Sequence, residues 1–345
     1  MTRISGVPAL KKLAAVFSVA ALAVLAACST TTGSSAAPGA ELSLVAFSVP
    51  KAAYDDLQKS FTDSADGKGV AWKSSYGASG DQARAVISGL KADYVGFSLA
   101  TDMTKLVDQN LVAKDWDAGA NKGIVSTSVV VIVVRKGNPL GIKDWDDLIK
   151  PGVEIVTPNP GSSGSARWNI LAAWSNITAN GGSEADAETY LTRYYQNIVS
   201  LPSSGREATS AFTSGTGDVL ISYENEAIAA RQSGAEVDYV IPGTTLKIEN
   251  PGAVTTTAPE SAKKFLSHVI SDEGQKVFAS HGFRPLNESV DPGTVEGAND
   301  PSNPFPTVTK LATIDDFGGW PAAAKKFFDE KSGIVTKIQD SSGVS

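Results

Sequence analysis

The run Ile124 to Val134 (IVSTSVVVIVV) constrains this chain more than any other stretch. β-Branched side chains are stiff and pack well on a pleated surface, so the segment reads as a strand. A strand with one wet face would alternate apolar with polar residues, and here only Ser126 to Ser128 interrupt the apolar run. Burial on both faces follows, which requires helices on each side of the sheet and predicts an α/β architecture. The strand is expected to run from one lobe of the protein into another. Beyond a targeting segment and tether (residues 1–40), about 305 residues remain, more than one hydrophobic core usually covers.

The rest of the chain alternates between strand and helix patterns, which predicts mostly parallel sheets. Leu42 to Ser48 is a first strand, followed by a helix from Ala52 to about Asp63 with Ala53, Leu57 and Phe61 on one side. Val70 to Trp72, Tyr94 to Leu99, Val153 to Thr157, Val219 to Tyr223, Asp238 to Pro242 and Ala253 to Thr257 are further strands. Helices are predicted over Lys143 to Ile149, from Glu224 to Arg231, after Pro259, after Ser271, and from about Pro321 to Glu330.

Three helix starts are rich in glycine and serine. Ala166, Ile170, Trp174 and Ile177 recur at helical spacing, so Ser163-Gly164-Ser165 opens a helix. Ser79 with Gln82 three residues later reads as a capping box before Ala83, Val86, Ile87 and Leu90. Ser203-Ser204-Gly205-Arg206 is the third. The first N–H groups of a helix lack internal partners and the macrodipole adds partial positive charge, so such starts receive anions. In open α/β sheets ligands lie beyond the C-terminal strand ends, where these helix starts point.

Residues 1–27 read as a secretion signal: Arg3, Lys11 and Lys12 precede the uncharged run Leu13 to Ala27. Leu25-Ala26-Ala27-Cys28 resembles a bacterial lipobox, with Cys28 lipidated and 28–40 a small, polar tether. Cys28 is the single cysteine, so no disulfide forms within the chain. Two acyl chains on Cys28 suffice for stable anchoring at the outer face of the cytoplasmic membrane. The formal charge of −7 becomes more negative once the three basic residues are removed, which argues against nucleic acid or an anionic lipid surface as partner. An anion site here must therefore be built from local donors.

Signals for an enzyme are thin. His268 and His281 are the two histidines, both in the C-terminal helical region. Gly161 to Ser165 and Gly77 to Asp81 each miss the last glycine of a nucleophile elbow. No P-loop, dinucleotide fingerprint or metal-spaced His/Cys cluster occurs, and no cofactor is expected. Glu224 and Glu226, two apart, decorate a helix start rather than face each other.

Several blocks, in order, resemble the prokaryotic sulfate-binding protein family. They are Arg135 to Pro139, Asp144 to Val153, Thr157 to Pro160, Ala166 to Asn169, Leu171 to Trp174, Gly217 to Ile221 and Glu224 to Ala227. The resemblance covers about Val45 to Arg284. It implies an extracytoplasmic receptor, not an enzyme, that delivers sulfate or thiosulfate to the permease subunits of an ABC importer. It also implies the two-lobed type II periplasmic-binding-protein fold, with the dianion in a cleft between lobes. On that basis lobe 1 comprises 41–127 and 247–345 and lobe 2 comprises 128–246, in a monomer.

The resemblance also implies the ligand contacts. Ser79 matches a family serine that contacts sulfate, and Ser163 and Gly164 match the start of a Ser-Gly-Gly anion loop. Ser165 stands where the family has glycine, Gly205 where it commonly has alanine, and Tyr223 where a tryptophan donates its indole N–H. Ala46-Phe47-Ser48-Val49 replaces Ser-Tyr-Asp-Pro, removing a carboxylate near the site. Arg167 and Arg206 are expected to brace the loops. Two other readings compete: a receptor for another oxyanion such as phosphate or molybdate, and a secreted hydrolase using Ser163 or Ser79.

Overall fold

The computed structural model describes residues 41–343. The signal, Cys28 and tether readings fall outside them. Among the described residues, no helix is long and apolar enough to cross a membrane.

The first part of the chain runs β1 (Glu41–Phe47), α1 (Lys51–Asp63), β2 (Ala71–Gly77), α2 (Ser79–Ile87), β3 (Tyr94–Gly96), α3 (Ala100–Asp108) and β4 (Ile124–Arg135). A 3₁₀ turn (Trp145–Ile149) leads to β5 (Ile155–Val156), α4 (Gly164–Thr178), α5 (Glu184–Gln196), β6 (Ile198–Ser200), α6 (Gly205–Thr213), β7 (Val219–Tyr223), α7 (Glu224–Gln232) and β8 (Val237–Val240). The chain returns through β9 (Thr244–Val254) to α8 (Glu260–Ile270), α9 (Asp272–Ser280) and β10 (Lys310–Ala312). A second 3₁₀ turn (Ile314–Phe317), α10 (Gly319–Phe328) and α11 (Ile334–Ser342) complete it.

The strands join in the order β2-β1-β3-β9-β4-β7-β5-β6, with β10 beside β9 and β8 beside β4. β4 and β9 carry the architecture. Ile124 to Val129 of β4 pair with Lys247 to Pro251 of β9, and Val130 to Arg135 then change partners to β7 and β8. β9 likewise passes from β4 to β3 at Gly252. Each long strand thus pairs with two groups of strands along its length. β4 is buried on both faces: Val130, Ile132 and Val134 join the largest core, while Val129, Val131 and Val133 pack with α6 and α7 residues such as Phe212 and Ile228.

Two expectations need correction. The sheet is mixed rather than mostly parallel, because β4 runs against β7, β8 and β9, and β9 runs against β3. Strand β9 is also much longer than Ala253 to Thr257. Lys247, Glu249, Asn250, Pro251 and Gly252 break the apolar pattern, yet pairing of Lys247 to Pro251 with β4 and of Gly252 with β3 holds them in the strand.

Candidate functional site

Helices α2, α4 and α6 begin around one narrow cavity, walled by Ser48, Ser79, Ser98, Ser163, Gly164, Ser165, Ser204 and Gly205 among others. No charged side chain belongs to that wall among the described residues. A roomier groove of about 620 Å³ lies elsewhere, lined by Trp174, Lys310 and Lys326. Its cations are already engaged, Lys326 by Glu184 and Lys310 by Asn180. The smaller cavity is the better candidate because three sets of unpartnered helix N–H groups meet there.

Each loop is held for that purpose. Ser163 precedes α4 in an extended conformation and makes no capping bond with its hydroxyl. Its N–H is taken by the Asn159 carbonyl at 2.8 Å, so its hydroxyl is the group available to the cavity. Ser162, its neighbour, instead donates its hydroxyl to the Ser203 carbonyl at 2.7 Å. Gly164 is required where it stands. A β-carbon there would lie 2.6 Å from both Cβ and Oγ of Ser98. Arg167 donates to the Pro160 carbonyl at 3.0 Å and Arg206 to the Val49 carbonyl at 2.9 Å, so both brace loops as expected.

Ser79 departs from its expected role at the helix end. It is the first residue of α2, not its cap, and Ala78 precedes it without a capping bond. Gln82 turns to the Ser75 hydroxyl instead. The Ser79 hydroxyl donates to buried Asp102 at 2.7 Å and accepts the Ser98 N–H at 3.0 Å. Its proton is thereby committed, which leaves the backbone N–H of Ser79 as the donor for the cavity.

Tyr223 is fully buried and does not wall the cavity; its phenol lies 2.8 Å from the Ser98 hydroxyl. Burial holds the phenol well above its usual pKa, with the polar groups of Ser98, Ser165 and Asn250 only partly offsetting it. It remains a protonated donor at any physiological pH. Ser98 went unnoticed in the sequence, where it sits inside an ordinary strand pattern. Ser48, singled out there only for replacing a carboxylate, has a buried hydroxyl without a hydrogen-bond partner among the described residues, in the cavity wall.

Glu224 and Glu226 are not surface decoration. Both are completely buried at the start of α7, Glu224 paired with Arg284 at 2.7 Å and Glu226 with Arg206 at 2.6 Å. Burial pushes both carboxyls up from their ordinary range, and the arginines oppose it. The Arg206 pair fixes the guanidinium that also reaches Val49, so the second residue of α6 is tied to the loop after β1.

A cavity of neutral donors at converging helix starts is an anion-receptor geometry. The description "bacterial extracellular solute-binding protein" matches residues 42–284. The chain belongs to that family. It is 40% identical over 340 residues to a sulfate-binding protein of Synechococcus elongatus, covering 94% of this chain and 95% of the relative. A thiosulfate-binding protein of Pseudomonas aeruginosa is 34% identical, over 83% of this chain and 87% of its own. The solved structure of the sulfate-binding protein SubI from Mycobacterium tuberculosis is 43% identical with a TM-score of 0.79, over 84% of this chain and all of SubI.

The bacterial extracellular solute-binding fold is two-lobed, and this chain shares it. Of the residues singled out in the sequence, Ser79, Ser163, Gly164, Ser165 and Gly205 do meet in one cavity. Tyr223 stands behind it. Oxyanions desolvated in such a site accept bonds from N–H and O–H groups, each charge-assisted bond contributing about 1.5–3 kcal/mol.

Proposed function

We propose that this protein is the sulfate receptor of an ABC importer, with thiosulfate as a second ligand of the same site. One observation carries the reading. Among the described residues, three helix starts, the unengaged hydroxyl of Ser163 and the unpartnered hydroxyl of Ser48 converge on a cavity whose wall has no charged side chain. A fully ionised tetrahedral anion satisfies such an all-donor site, and a cation or an uncharged sugar does not. The names of the relatives, sulfate-binding and thiosulfate-binding, point the same way. The ligand contacts in this reading are the N–H groups of Ser79, Gly164, Ser165 and Gly205 with the Ser163 hydroxyl. Lobe 1 comprises 41–127 and 247–345, and lobe 2 comprises 128–246. Its support is the change of partners along β4 and β9.

The mature protein in this reading is a monomer tethered through lipidated Cys28 outside the cytoplasmic membrane, presenting its ligand to a permease pair. Its support is the Leu25-Ala26-Ala27-Cys28 sequence and the polar stretch behind it. Titration calorimetry of the ligand-stripped mature chain against sulfate, thiosulfate, phosphate and molybdate tests the receptor assignment. Heat with sulfate is expected, and silence with all four would overturn it. Globomycin, which blocks lipoprotein signal cleavage, should leave the precursor unprocessed. Normal processing in its presence would remove the anchor.

A further inference from the structure

Ser98 is the most connected residue of the cavity wall. Its N–H donates to the Ser79 hydroxyl at 3.0 Å, and its carbonyl accepts the Trp168 indole N–H at 3.0 Å and the Asn250 amide at 3.2 Å. Its hydroxyl meets the Tyr223 phenol at 2.8 Å. The same hydroxyl lies against Gly164, the first residue of α4 and part of the cavity wall. The backbone of Ser98 is thus pinned at both of its polar groups, and its short side chain has few places to go.

The direction of the hydroxyl bonds follows from counting protons. Ser98 and Tyr223 each carry one donor hydrogen and can each accept. An ionised oxyanion only accepts, so a Ser98 hydroxyl donating to it must receive its own hydrogen bond from Tyr223. The phenol oxygen in turn has the polar groups of Ser165 and Asn250 beside it. That yields an ordered chain, Tyr223 to Ser98 to ligand, in which each bond polarises the next.

We propose that the Ser98 hydroxyl is a ligand-contacting group of this site and that Tyr223 acts on the ligand only through it, as a positioning residue. The proposal rests on the anion-receptor reading above. It reassigns the contact that the sequence resemblance gives to position 223: a phenol set back from the cavity reaches it by way of a serine on the other side of the cleft. Tyr223 therefore couples the end of strand β7 to Ser98, two residues after β3, by a direct bond across the cleft.

The test uses sulfate and the ligand-stripped mature chain in four forms: wild type, S98A, Y223F and the double variant. Affinity should fall at least tenfold in S98A and by a smaller factor in Y223F, while Y223F should cost nothing further once Ser98 is gone. Tyrosine labelled with ¹³C at Cζ adds a readout that folding alone does not move. The Tyr223 resonance, recognised by its loss in Y223F, should shift on adding sulfate to wild type and stay still in S98A. Equal losses from Y223F in both backgrounds, or a sulfate-induced shift that survives in S98A, would mean that Tyr223 touches the ligand itself. Unchanged sulfate affinity in S98A overturns the inference alone. Failure of the wild type to bind sulfate or thiosulfate overturns the receptor reading with it.

Discussion

A β-carbon on Gly205 would stand 2.8 Å from the Ser165 hydroxyl oxygen and 3.0 Å from Cγ2 of Val49. The serine at the start of α4 therefore occupies space that a side chain at the start of α6 would need. The resemblance assigns glycine to the first position and alanine to the second, and this chain exchanges which of the two is bare. The departures read as a single compensated change rather than two independent losses.

That coupling is measurable. Gly205→Ala alone should destabilise the ligand-free protein by about 1–3 kcal/mol, the usual range for overpacking, and weaken sulfate binding. Adding Ser165→Gly should restore most of both, since contacts within one cluster are not additive. Urea unfolding and calorimetric titration of the two singles and the double decide it. Strictly additive effects would show that Ser165 and Gly205 do not share this space.

The two adjacent serines of the α4 loop should behave differently. Ser163→Ala removes a hydroxyl that no cap bond engages, and should cost about 1.5–3 kcal/mol of sulfate binding, roughly 10- to 150-fold in affinity. Ser162→Ala removes only the bond to the Ser203 carbonyl on the outer side of the loop, and should leave affinity within about twofold. Equal losses at both positions would place the ligand on the wrong side of this turn.

Much of this was legible in the sequence because the physics is local. The β-branched run specified a doubly covered strand, and the apolar period after Ser165 located the start of α4 to within two residues. Position in three dimensions was not legible. Ser98 looks like any polar residue ending a strand, and only the pairing of β3 with β9 and the approach of α4 make it a cavity wall. The Ser79–Gln82 spacing fitted a capping box, but buried Asp102, twenty-three residues on, outcompetes the local cap for the hydroxyl. Glu224 and Glu226 looked solvated because their partners, Arg284 and Arg206, are distant in sequence.

His268 should give the folded protein a pH dependence near neutrality. Its ring is half-buried against Phe61 and hydrogen-bonded to the Ser60 hydroxyl at 2.7 Å. Burial lowers its pKa from 6.5, with Glu273 pulling weakly the other way. A depressed folded value means the unfolded chain binds more protons, so stability rises with pH through this window. The contribution is present above about 6.5 and lost as pH falls through the lower folded value. Urea midpoints at pH 7.5 and pH 5 should differ more for wild type than for His268→Gln, with about these pH values bracketing an ordinary histidine. An identical drop in both proteins would assign the effect to other groups.

The final prediction concerns selectivity, and it follows from a cavity wall that has no carboxylate among the described residues. Sulfate only accepts hydrogen bonds, whereas inorganic phosphate near neutrality is a mixture of its singly and doubly protonated forms and needs an acceptor for each proton. A proton held against an N–H of Gly164 or Gly205 leaves a bond unmade, at about 1–3 kcal/mol. Sulfate should therefore be preferred by one to several orders of magnitude, and its own binding should be almost equal at about pH 5.5 and about pH 8, because it stays fully ionised across that range. Hydroxyls weaken that rule because they can turn and accept. Ser48 and Ser165 lie in the wall, and Ser48 has no partner holding its proton. Discrimination should thus be weaker than in a site of backbone N–H groups alone, and Ser48→Ala should sharpen it by weakening phosphate more than sulfate. Competition of phosphate against bound sulfate at pH ~5.5, where phosphate is mostly singly charged, gives the sharpest reading. Displacement at comparable concentrations would mean that a group in the wall accepts the phosphate proton readily, and the donor-only account of this cavity would have to be abandoned.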